Sequence, residues 1–348
     1  MTKKVKGYKT GNPSIDRMIH MLAERAAGGC SHNQDLVEEM MVTALKIEED
    51  ELERGDVKMM NSALKELRYA LKVFYPYRHI RKVAIFGSAR TPKTSPDYIQ
   101  AKEFAKAIVE AGWMVITGAS SGIMSAGNEG AGSSNSFGVN IRLPFEQSAN
   151  ETIKDDPKLI NFKYFFTRKL IFIRESDATV LCPGGFGTHD EGFETLTLIQ
   201  TGKTSPRPVI CLDPKNSKYW STFKSFLSKE LGKRGMIDPD DINLMHFTHD
   251  PHDAVRVINQ FYRNYHSMRY IQDRLIFRVK KELTKQNLVK LNDLFSGILK
   301  KGKIEQFAKP FKEEDNEPHT FDLTRLALYF NRRHFACLKK MIDVINKM

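Results

Sequence analysis

Residues 81–262 alternate short apolar runs with longer amphipathic segments. The runs are predicted strands: KVAIF (82–86), WMVIT (113–117), FGVNIRL (137–143), ATVLC (178–182) and RPVICL (207–212). The segments between them are predicted helices: DYIQAKEFAKAIVEAG, SGIMSAGNEGAG, TRKLIFIRES and DEGFETLTLIQTG. Strands that are buried on both faces are continuously apolar, and strand–helix alternation is typical of parallel sheets. The pattern therefore predicts an α/β fold with helices on both faces of a parallel sheet.

Helical periodicity dominates the N-terminal part of the chain. Asn12 followed by Pro13 predicts the start of a first helix, because asparagine caps helices and proline fits their first turn. Ser31 is a candidate cap of a second helix and Gly55 is its predicted stop. Pro76 is predicted to end a third helix. No chemistry is indicated here, so a packing or oligomerisation layer is the simplest interpretation.

The C-terminal part changes character again. RLIFRVK, KIEQFAKP and RLALYFNRR predict strands, KQNLVKLNDLFSGIL and HFACLKKMIDVIN predict helices, and the acidic run KEEDNEPH (312–319) predicts a loop. Three domains follow from these changes. They are an N-terminal helical region at 1–80, a Rossmann-like domain at 81–262, and a small basic α+β appendage at 263–348.

The composition is that of a soluble globular protein, with 41% apolar and 28% charged residues in a chain of 348. No window approaches 18 consecutive apolar residues, and the N-terminus MTKKVKGYKTGNPS lacks the apolar core of a signal peptide. No Cys-x-x-Cys pair occurs, so neither a zinc site nor a disulfide framework is indicated. We therefore expect a reduced cytoplasmic compartment and no membrane partner.

The net charge of +12 is unevenly distributed. Residues 261–348 contain 19 Lys or Arg against 10 Asp or Glu, which is +9 of that total. Such a segment has the charge to contact nucleic acid or a phosphate-rich ligand. A solvated basic face explains the pattern more simply, because the aromatic interleaving typical of RNA-binding platforms is missing. We therefore do not expect nucleic acid as a partner.

Three glycine-containing turns follow predicted strands: 87–90 (GSAR), 117–124 (TGASSGIM) and 182–188 (CPGGFGT). In open α/β sheets, ligands bind at the carboxyl ends of the strands, and glycine lets backbone N–H groups approach an anion closely. Tight strand-to-helix turns also need glycine for steric reasons, so a single turn is weak evidence. Three turns in one sheet indicate a phosphate site. None of the turns matches the Walker motif, and the first turn does not carry the Gly-x-Gly-x-x-Gly pattern of ordinary dinucleotide binding.

Charged residues flank the third turn. Glu191 lies four residues after Gly187, in the predicted first turn of the next helix, and Arg168 and Lys169 lie on the preceding helix. A carboxylate and a cation beside a phosphate loop suit attack on the glycosidic carbon of a nucleotide, where positive charge develops on ribose. The alternative interpretation is that Asp190 and Glu191 only complement the helix dipole, which leaves the glycines unexplained.

The segment PGGFGTHDE (183–191) resembles the PGGxGTxxE signature of the LOG (Lonely Guy) family, which comprises nucleoside 5′-monophosphate phosphoribohydrolases long labelled "lysine decarboxylase-like". FFTRK is similar to that family's arginine–lysine segment, TGASSGIMSAGNEGA to its second glycine turn, and GVNIRLPFEQ to the following strand. The resemblance covers about residues 81–260. The flanking regions look like those of the longer bacterial branch, which includes relatives of the pyrimidine/purine nucleotide 5′-monophosphate nucleosidases.

The resemblance implies a set of site residues. The catalytic pair falls on Arg168 and Glu191. The nucleotide- and phosphate-binding residues, with Lys169 beside Arg168 included, are Gly87, Ser88, Gly118, Gly122, Met124, Lys169, Gly184, Gly185, Gly187 and Thr188. No metal and no organic cofactor are implied. A homodimer or higher homo-oligomer is implied, with part of the active site completed by the partner subunit.

The second turn departs from the family pattern, which is Thr-Gly-Gly-Gly-Pro-Gly in the long branch. Here Ala119, Ser120 and Ser121 replace two glycines and a proline. If Ala119 or Ser120 needs a positive φ, the cost is on the order of 1 kcal/mol. The alternative interpretation is that the added hydroxyls donate hydrogen bonds to a ligand. Ser125 stands where an acid is common, and Gly192 where leucine is usual.

The histidines of MHFTHDPHD (245–253) are three residues apart, which would align them on a helix. Pro251 argues against a helix, so a polar loop is predicted rather than a metal site.

The predicted function is hydrolysis of the N-glycosidic bond of an AMP-like nucleoside 5′-monophosphate to free base and ribose 5-phosphate. The alternative is a non-catalytic nucleotide-binding sensor or carrier. Retention of both Arg168 and Glu191 favours the enzyme.

Overall fold

The computed structural model of the chain describes residues 8–28, 33–142 and 148–348. They form two compact units, one ending at Arg68 and the other running from Tyr69 to Met348. The helices are α1 Pro13–Ala26, α2 Gln34–Glu49, α3 Arg54–Phe74, α4 Pro96–Glu110, α5 Ile123–Ala131, α6 Phe165–Glu175, α7 Phe186–Gln200, α8 Tyr219–Phe226, α9 Pro251–Phe261, α10 Lys285–Phe295 and α11 Phe335–Ile345. The strands are β1 Lys82–Phe86, β2 Met114–Thr117, β3 Ser136–Ile141, β4 Leu159–Phe162, β5 Ala178–Leu181, β6 Val209–Leu212, β7 Met245–Thr248, β8 Tyr265–Ile271, β9 Arg274–Val279, β10 Leu299–Phe307 and β11 Thr324–Phe330.

The N-terminal helices begin largely as the sequence predicts. The side chain of Asn12 accepts hydrogen bonds from the first backbone N–H groups of α1, and Pro13 is its first residue. The predicted cap Ser31 lies outside the described residues. The predicted stop at Gly55 is wrong, because Gly55 lies in the first turn of α3. The chain leaves α2 after Glu49, and Glu51 adopts the left-handed conformation (φ 52°) that glycine more often supplies at helix ends.

Seven parallel strands form the main sheet in the order β4-β3-β2-β1-β5-β6-β7. β1 is its central strand, with Val83 opposite Val115 on one side and opposite Ala178 on the other. All five residues of β1 are buried, as expected for a strand flanked by helices. The predicted Rossmann-like α/β sheet is therefore confirmed, although β4 and β7 were not predicted.

Four antiparallel strands form the C-terminal sheet in the order β10-β11-β9-β8. The predicted acidic loop contains two short 3₁₀ turns, and within it Glu314 is fully buried. Nε of Arg278 lies 2.7 Å from Oε1 of Glu314, and Nε of Arg325 lies 3.1 Å from Oε2. These two arginines are buried and ion-paired, so the predicted solvated basic face does not include them.

The main and C-terminal sheets share one apolar core. It contains Val180 and Ile210 of the main sheet together with Leu275 and Leu326 of the small one. The changeover between the sheets falls between β7 and β8, and the predicted division into 1–80, 81–262 and 263–348 stays a prediction. None of the helices in the described residues is long and apolar enough to cross a membrane.

Candidate active site

The candidate site lies where the strand order of the main sheet reverses, between β1 and β5. From β1 the chain builds outward through β2, β3 and β4, and it then returns to place β5 on the other side of β1. Ligand sites of open α/β sheets form at the carboxyl ends of such strand pairs. The turns after β1 and β5 are joined there by a hydrogen bond from the N–H of Ser88 to the carbonyl of Pro183, 3.1 Å long.

Close backbone approach explains two of the glycines. Gly122 has φ +62°, and a Cβ on it would lie 2.2 Å from the carbonyl oxygen of Ser88. A Cβ on Gly184 would lie 2.1 Å from Oγ1 of Thr188 and 3.0 Å from the backbone nitrogen of Ser88. The three predicted turns therefore interlock, and no larger residue fits at these two positions without a shift of the backbone or of a buried side chain.

A cavity of about 590 Å³ opens over the turns after β1 and β5 and contains both residues of the predicted catalytic pair, Arg168 and Glu191. Of the predicted ligand-binding residues, Gly87, Ser88, Met124, Gly185, Gly187 and Thr188 also line it. Gly118 lies behind this lining, where a Cβ would meet Sδ of Met124 at 2.6 Å and a terminal nitrogen of Arg168 at 3.2 Å. The structure thus brings most of the predicted site together.

Glu191 lies deeper in its helix than the sequence predicts. α7 begins at Phe186 with Gly185 as its N-cap, so Glu191 belongs to the second turn. The helix dipole acts within the first turn, and Glu191 is only 5% exposed. The interpretation of Glu191 as a dipole-complementing surface acid therefore has little physical basis.

Burial dominates the electrostatics of Glu191 and raises its pKa to about 6, while the positive charges of Lys169 and Arg168 oppose the rise. Oε1 lies 3.5 Å from Nζ of Lys169. Oε2 is buried and accepts no hydrogen bond from any residue that the structure describes. A group with this pKa is still about 90% ionised at pH 7. The carboxylate is thus predominantly charged at neutral pH. Burial disfavours this charge, and the helix terminus does not account for it.

Lys169 is the one predicted ligand-binding residue that faces the carboxylates instead. Its Nζ lies 2.8 Å from Oδ2 of Asp190 and 2.8 Å from Oε2 of Glu194. Burial lowers the pKa of Lys169, but hydrogen bonds to Asp190 and Glu194 outweigh that effect, so the pKa is raised overall. Like Gly118, Gly122 and Gly184, Lys169 is not among the residues that line the cavity.

Aromatic side chains stand at the mouth of the cavity and were not identified from the sequence. Phe186 is 97% exposed and Phe165 is 53% exposed, and both line the cavity together with Phe86. The signal that was available is the position of Phe186, between two glycines of the signature and at the start of a helix. The guanidinium of Arg168 lies 5.7 Å from the ring centroid of Phe165.

The altered second turn contains a left-handed alanine. Ala119 has φ +62°, which costs on the order of 1 kcal/mol for a residue with a Cβ. Its N–H donates to Oγ1 of Thr117 at 3.0 Å, and its carbonyl accepts from the N–H of Asn150 at 2.8 Å. The hydroxyl of Ser121 donates to the carbonyl of Ala89 at 2.8 Å. One of the added hydroxyls thus joins two turns of the protein to each other.

The histidines of MHFTHDPHD (245–253) do not converge on one point. The predicted polar loop is wrong, because its first residues form β7 and Pro251 is the first residue of α9. Each histidine contacts a different acid: His246 with Asp253 at 2.8 Å, His249 with Asp213 at 2.9 Å, and His252 with Glu103 at 3.4 Å. Within residues 8–28, 33–142 and 148–348, no group of His, Cys, Asp or Glu side chains could hold a metal ion.

Comparisons with known proteins match part of the chain. Residues 117–258 match the family described as "possible lysine decarboxylase". No match was found among curated proteins.

Three solved structures are similar to the chain. The molybdenum cofactor carrier protein of Chlamydomonas reinhardtii is 23% identical over 52% of this chain and 97% of that chain, with a TM-score of 0.37. The molybdenum cofactor binding protein of Rippkaea orientalis is 23% identical over 52% and 94%, with a TM-score of 0.35. DNA processing protein A of Streptococcus pneumoniae is 13% identical over 73% and 99%, with a TM-score of 0.36.

The segment matched by the family model contains the second and third glycine turns together with Arg168 and Glu191. The resemblance read from the signature PGGFGTHDE is thereby confirmed, because residues 117–258 match the family model described as "possible lysine decarboxylase".

Proposed function

We propose that the protein hydrolyses the N-glycosidic bond of a nucleoside 5′-monophosphate and releases free base and ribose 5-phosphate. The observation that carries this proposal is one cavity that contains a buried carboxylate, Glu191, a guanidinium, Arg168, and the backbone of two glycine turns. These are the groups that glycosidic cleavage of a phosphorylated nucleoside requires.

The phosphate end of the substrate is assigned to the turns after β1 and β5. The first N–H groups of α7 point out of the helix without intrahelical acceptors, and they carry the positive end of the helix dipole. The glycines at 185 and 187 leave this helix start without side chains in the way, since an added Cβ would meet nothing within 4 Å. A phosphate group fits such a site without a metal ion.

The chemical step is assigned to Glu191. As the bond from C1′ to the base nitrogen breaks, the electron pair leaves with the base and positive charge develops on ribose. An ionised carboxylate in a buried site stabilises that charge more strongly than one in water. Water then adds to C1′, and its proton is transferred to the departing base. Arg168 binds phosphate or offsets negative charge on the base.

The description of the family as a possible lysine decarboxylase suggests a different reaction, which the cavity does not support. Decarboxylation of lysine through pyridoxal phosphate requires a lysine that forms a Schiff base. None of the described residues that line the cavity is a lysine, and Nζ of Lys169 is engaged with three carboxylates. We therefore favour nucleotide hydrolysis over decarboxylation.

The homo-oligomer implied by the family resemblance also belongs to this proposal. Three large apolar side chains of α6 are about half exposed next to the cavity: Phe165, Phe166 and Leu170. A second copy of the chain that covers them would also cover the cavity mouth. Light scattering coupled to size-exclusion chromatography measures this directly, and a monomer at working concentration contradicts it.

A substrate panel tests the proposed function. The purified protein is incubated with purine and pyrimidine nucleoside monophosphates and with the corresponding nucleosides, and free base is measured by chromatography. We expect base release from one or more monophosphates and very poor turnover of the unphosphorylated nucleosides. Equal turnover of AMP and adenosine contradicts the phosphate assignment. Tight nucleotide binding without base release favours the non-catalytic sensor or carrier.

A further inference from the structure

A second concentration of positive charge lies at the opposite end of the main sheet. Two adjoining hollows of about 610 and 530 Å³ share Arg81 and Lys280. Arg263 lines the first hollow and Arg78 lines the second. The single carboxylate among the described residues that line them is Asp177. We refer to these five residues as the basic pocket.

The one carboxylate of the basic pocket is already engaged. Oδ1 of Asp177 lies 2.9 Å from Nη1 of Arg81, and Oδ2 accepts the backbone N–H of Lys82 at 3.0 Å. Arg81 also donates to the carbonyl of His266 at 3.1 Å and lies over the ring of Tyr262. Arg81 is therefore neutralised and fixed in position.

The other three cations of the basic pocket have no such neutralisation. Arg78, Arg263 and Lys280 form no ion pair with any carboxylate in the part of the chain that the structure describes. Lys280 donates to the carbonyl of Tyr262 at 2.6 Å, which orients its ammonium without removing its charge. The pocket therefore has an excess of about three positive charges when its histidines are neutral.

A neighbouring histidine responds to this positive potential. The pKa of His266 is lowered to about 4, first by burial and then by the charges of Arg81, Lys280 and Arg278. The ring thus stays neutral at physiological pH, as expected where further positive charge is unfavourable. A bound anion would relieve the same repulsion.

We propose that the basic pocket is a second ligand site, which binds an oligophosphate, a small molecule with two or more phosphate groups. Three separate cations across two adjoining hollows match several negative charges in a row better than a single one. Guanidinium groups bind phosphate oxygens in pairs, and hollows of this size are typical of small-molecule sites.

The basic pocket is distinct from the candidate active site. Arg81 directly precedes β1 and Asp177 directly precedes β5, so the pocket lies at the amino ends of the two strands. The candidate active site lies at their carboxyl ends, and a strand of five residues extends about 13 Å. One small ligand therefore does not occupy both sites, and the proposal does not depend on the proposed function.

Isothermal titration of the full-length protein with inorganic tripolyphosphate tests the proposal. Arg78 and Lys280 are both exposed, so the double variant Arg78→Ala/Lys280→Ala should fold normally, which its melting temperature checks. The matched control is Lys290→Ala/Lys300→Ala, which removes the same charge from exposed positions of the C-terminal part. We expect the first variant to lose at least about tenfold in affinity and the control to stay within about twofold.

Four further results support or overturn the proposal. Tripolyphosphate binding that survives Arg168→Ala and saturating AMP supports a separate site. Binding that disappears only with Arg168→Ala, or equal losses in the two double variants, overturns the proposal. A short DNA or RNA duplex that binds through Arg78 and Lys280 while tripolyphosphate does not bind also overturns it in favour of a nucleic-acid surface. None of these outcomes depends on whether the protein releases base from nucleotides.

Discussion

Nζ of Lys169 lies 3.5 Å from Oε1 of Glu191, and the same ammonium bridges Asp190 and Glu194, each at 2.8 Å. One partly buried cation thus contacts three carboxylates of α7, of which Glu191 is the most buried. This arrangement keeps the side chain of Glu191 in place while leaving its Oε2 without a donor from the described residues. We therefore predict that Lys169 positions Glu191, and its role as a phosphate ligand stays a prediction.

The first prediction concerns turnover. Glu191→Gln preserves size and removes the charge that stabilises the transition state, so we expect kcat to fall by on the order of 10²-fold or more. Nucleotide affinity should stay within about tenfold, because that interaction forms mainly in the transition state. Single-turnover base release and equilibrium nucleotide binding measure the two effects. Glu194→Gln is the matched control, since it removes another partner of Lys169 outside the cavity and should alter kcat much less.

The second prediction concerns pH. Glu191 acts as a carboxylate, and burial raises its pKa to about 6. Activity should therefore be lost as the pH falls through about 6, as a limb of kcat/KM that reflects one proton. The measurement is kcat/KM between pH 5 and 8 for the best monophosphate. A profile that stays flat down to pH 5 would exclude Glu191 as the ionised group.

The third prediction distinguishes a positioning role of Lys169 from a purely structural one. Lys169→Met removes a charge that lowers the pKa of Glu191, so the acidic limb should move to higher pH. Lys169→Arg keeps the positive charge and should leave the limb closer to its original position. A purely structural role for Lys169 would reduce activity in both variants without shifting the pH of the acidic limb in either of them.

The fourth prediction links Glu191 to stability. Its pKa is raised on folding from 4.5 to about 6, so the ionised side chain destabilises the folded state above pH 6 by up to about 2 kcal/mol. This cost disappears as the pH falls below 4.5. Glu191→Gln should therefore be more stable than the original protein at pH 8, with the difference shrinking toward pH 4.5. Urea unfolding at both pH values measures it, and a less stable variant at pH 8 would favour a stabilising surface role.

The fifth prediction concerns the interlocked turns. In Gly122→Ala the new Cβ would lie 2.2 Å from a backbone oxygen at a positive φ, so we expect a loss of more than about 3 kcal/mol. Gly132→Ala is the matched control, because its φ is +73° but nothing lies within 4 Å of the new Cβ. The control should cost about 1–3 kcal/mol, because φ 73° with ψ 157° is a backbone conformation that glycine adopts far more readily than alanine. Equal losses in urea unfolding would mean that φ alone, and not the contact with Ser88, sets the requirement at 122.

The sequence predicts central strands well and edge strands poorly. The predicted run 82–86 is identical to β1, whose residues are all buried. The three strands that were missed, β4, β7 and β8, all lie at the edge of a sheet. Edge strands have fewer neighbours to cover them, so they tolerate polar residues such as those of MHFT in β7. Their sequences therefore lack the continuous apolar pattern.

The same division applies to the site. The signature identifies Glu191, the glycines and Thr188 because short motifs determine local backbone geometry. It does not predict that Glu191 is buried in the second turn or that Lys169 bridges three acids, because both depend on how α6 packs beside α7. Likewise, nothing in the run KEEDNEPH distinguishes Glu314 from its exposed neighbours before β9 and β11 come together.

The pairing of β1 with β5 has a consequence for the order in which the molecule assembles. Val83 and Ala178 are neighbours in the sheet but about 95 positions apart in the chain. A long loop must therefore close before the first and third turns meet, and such contacts form slowly because closure costs entropy before contacts compensate for it. A nascent chain that ends before β5 contains Gly87 and Gly122 but cannot form the cavity. Ligand binding can therefore stabilise only chains that have already completed this central pairing.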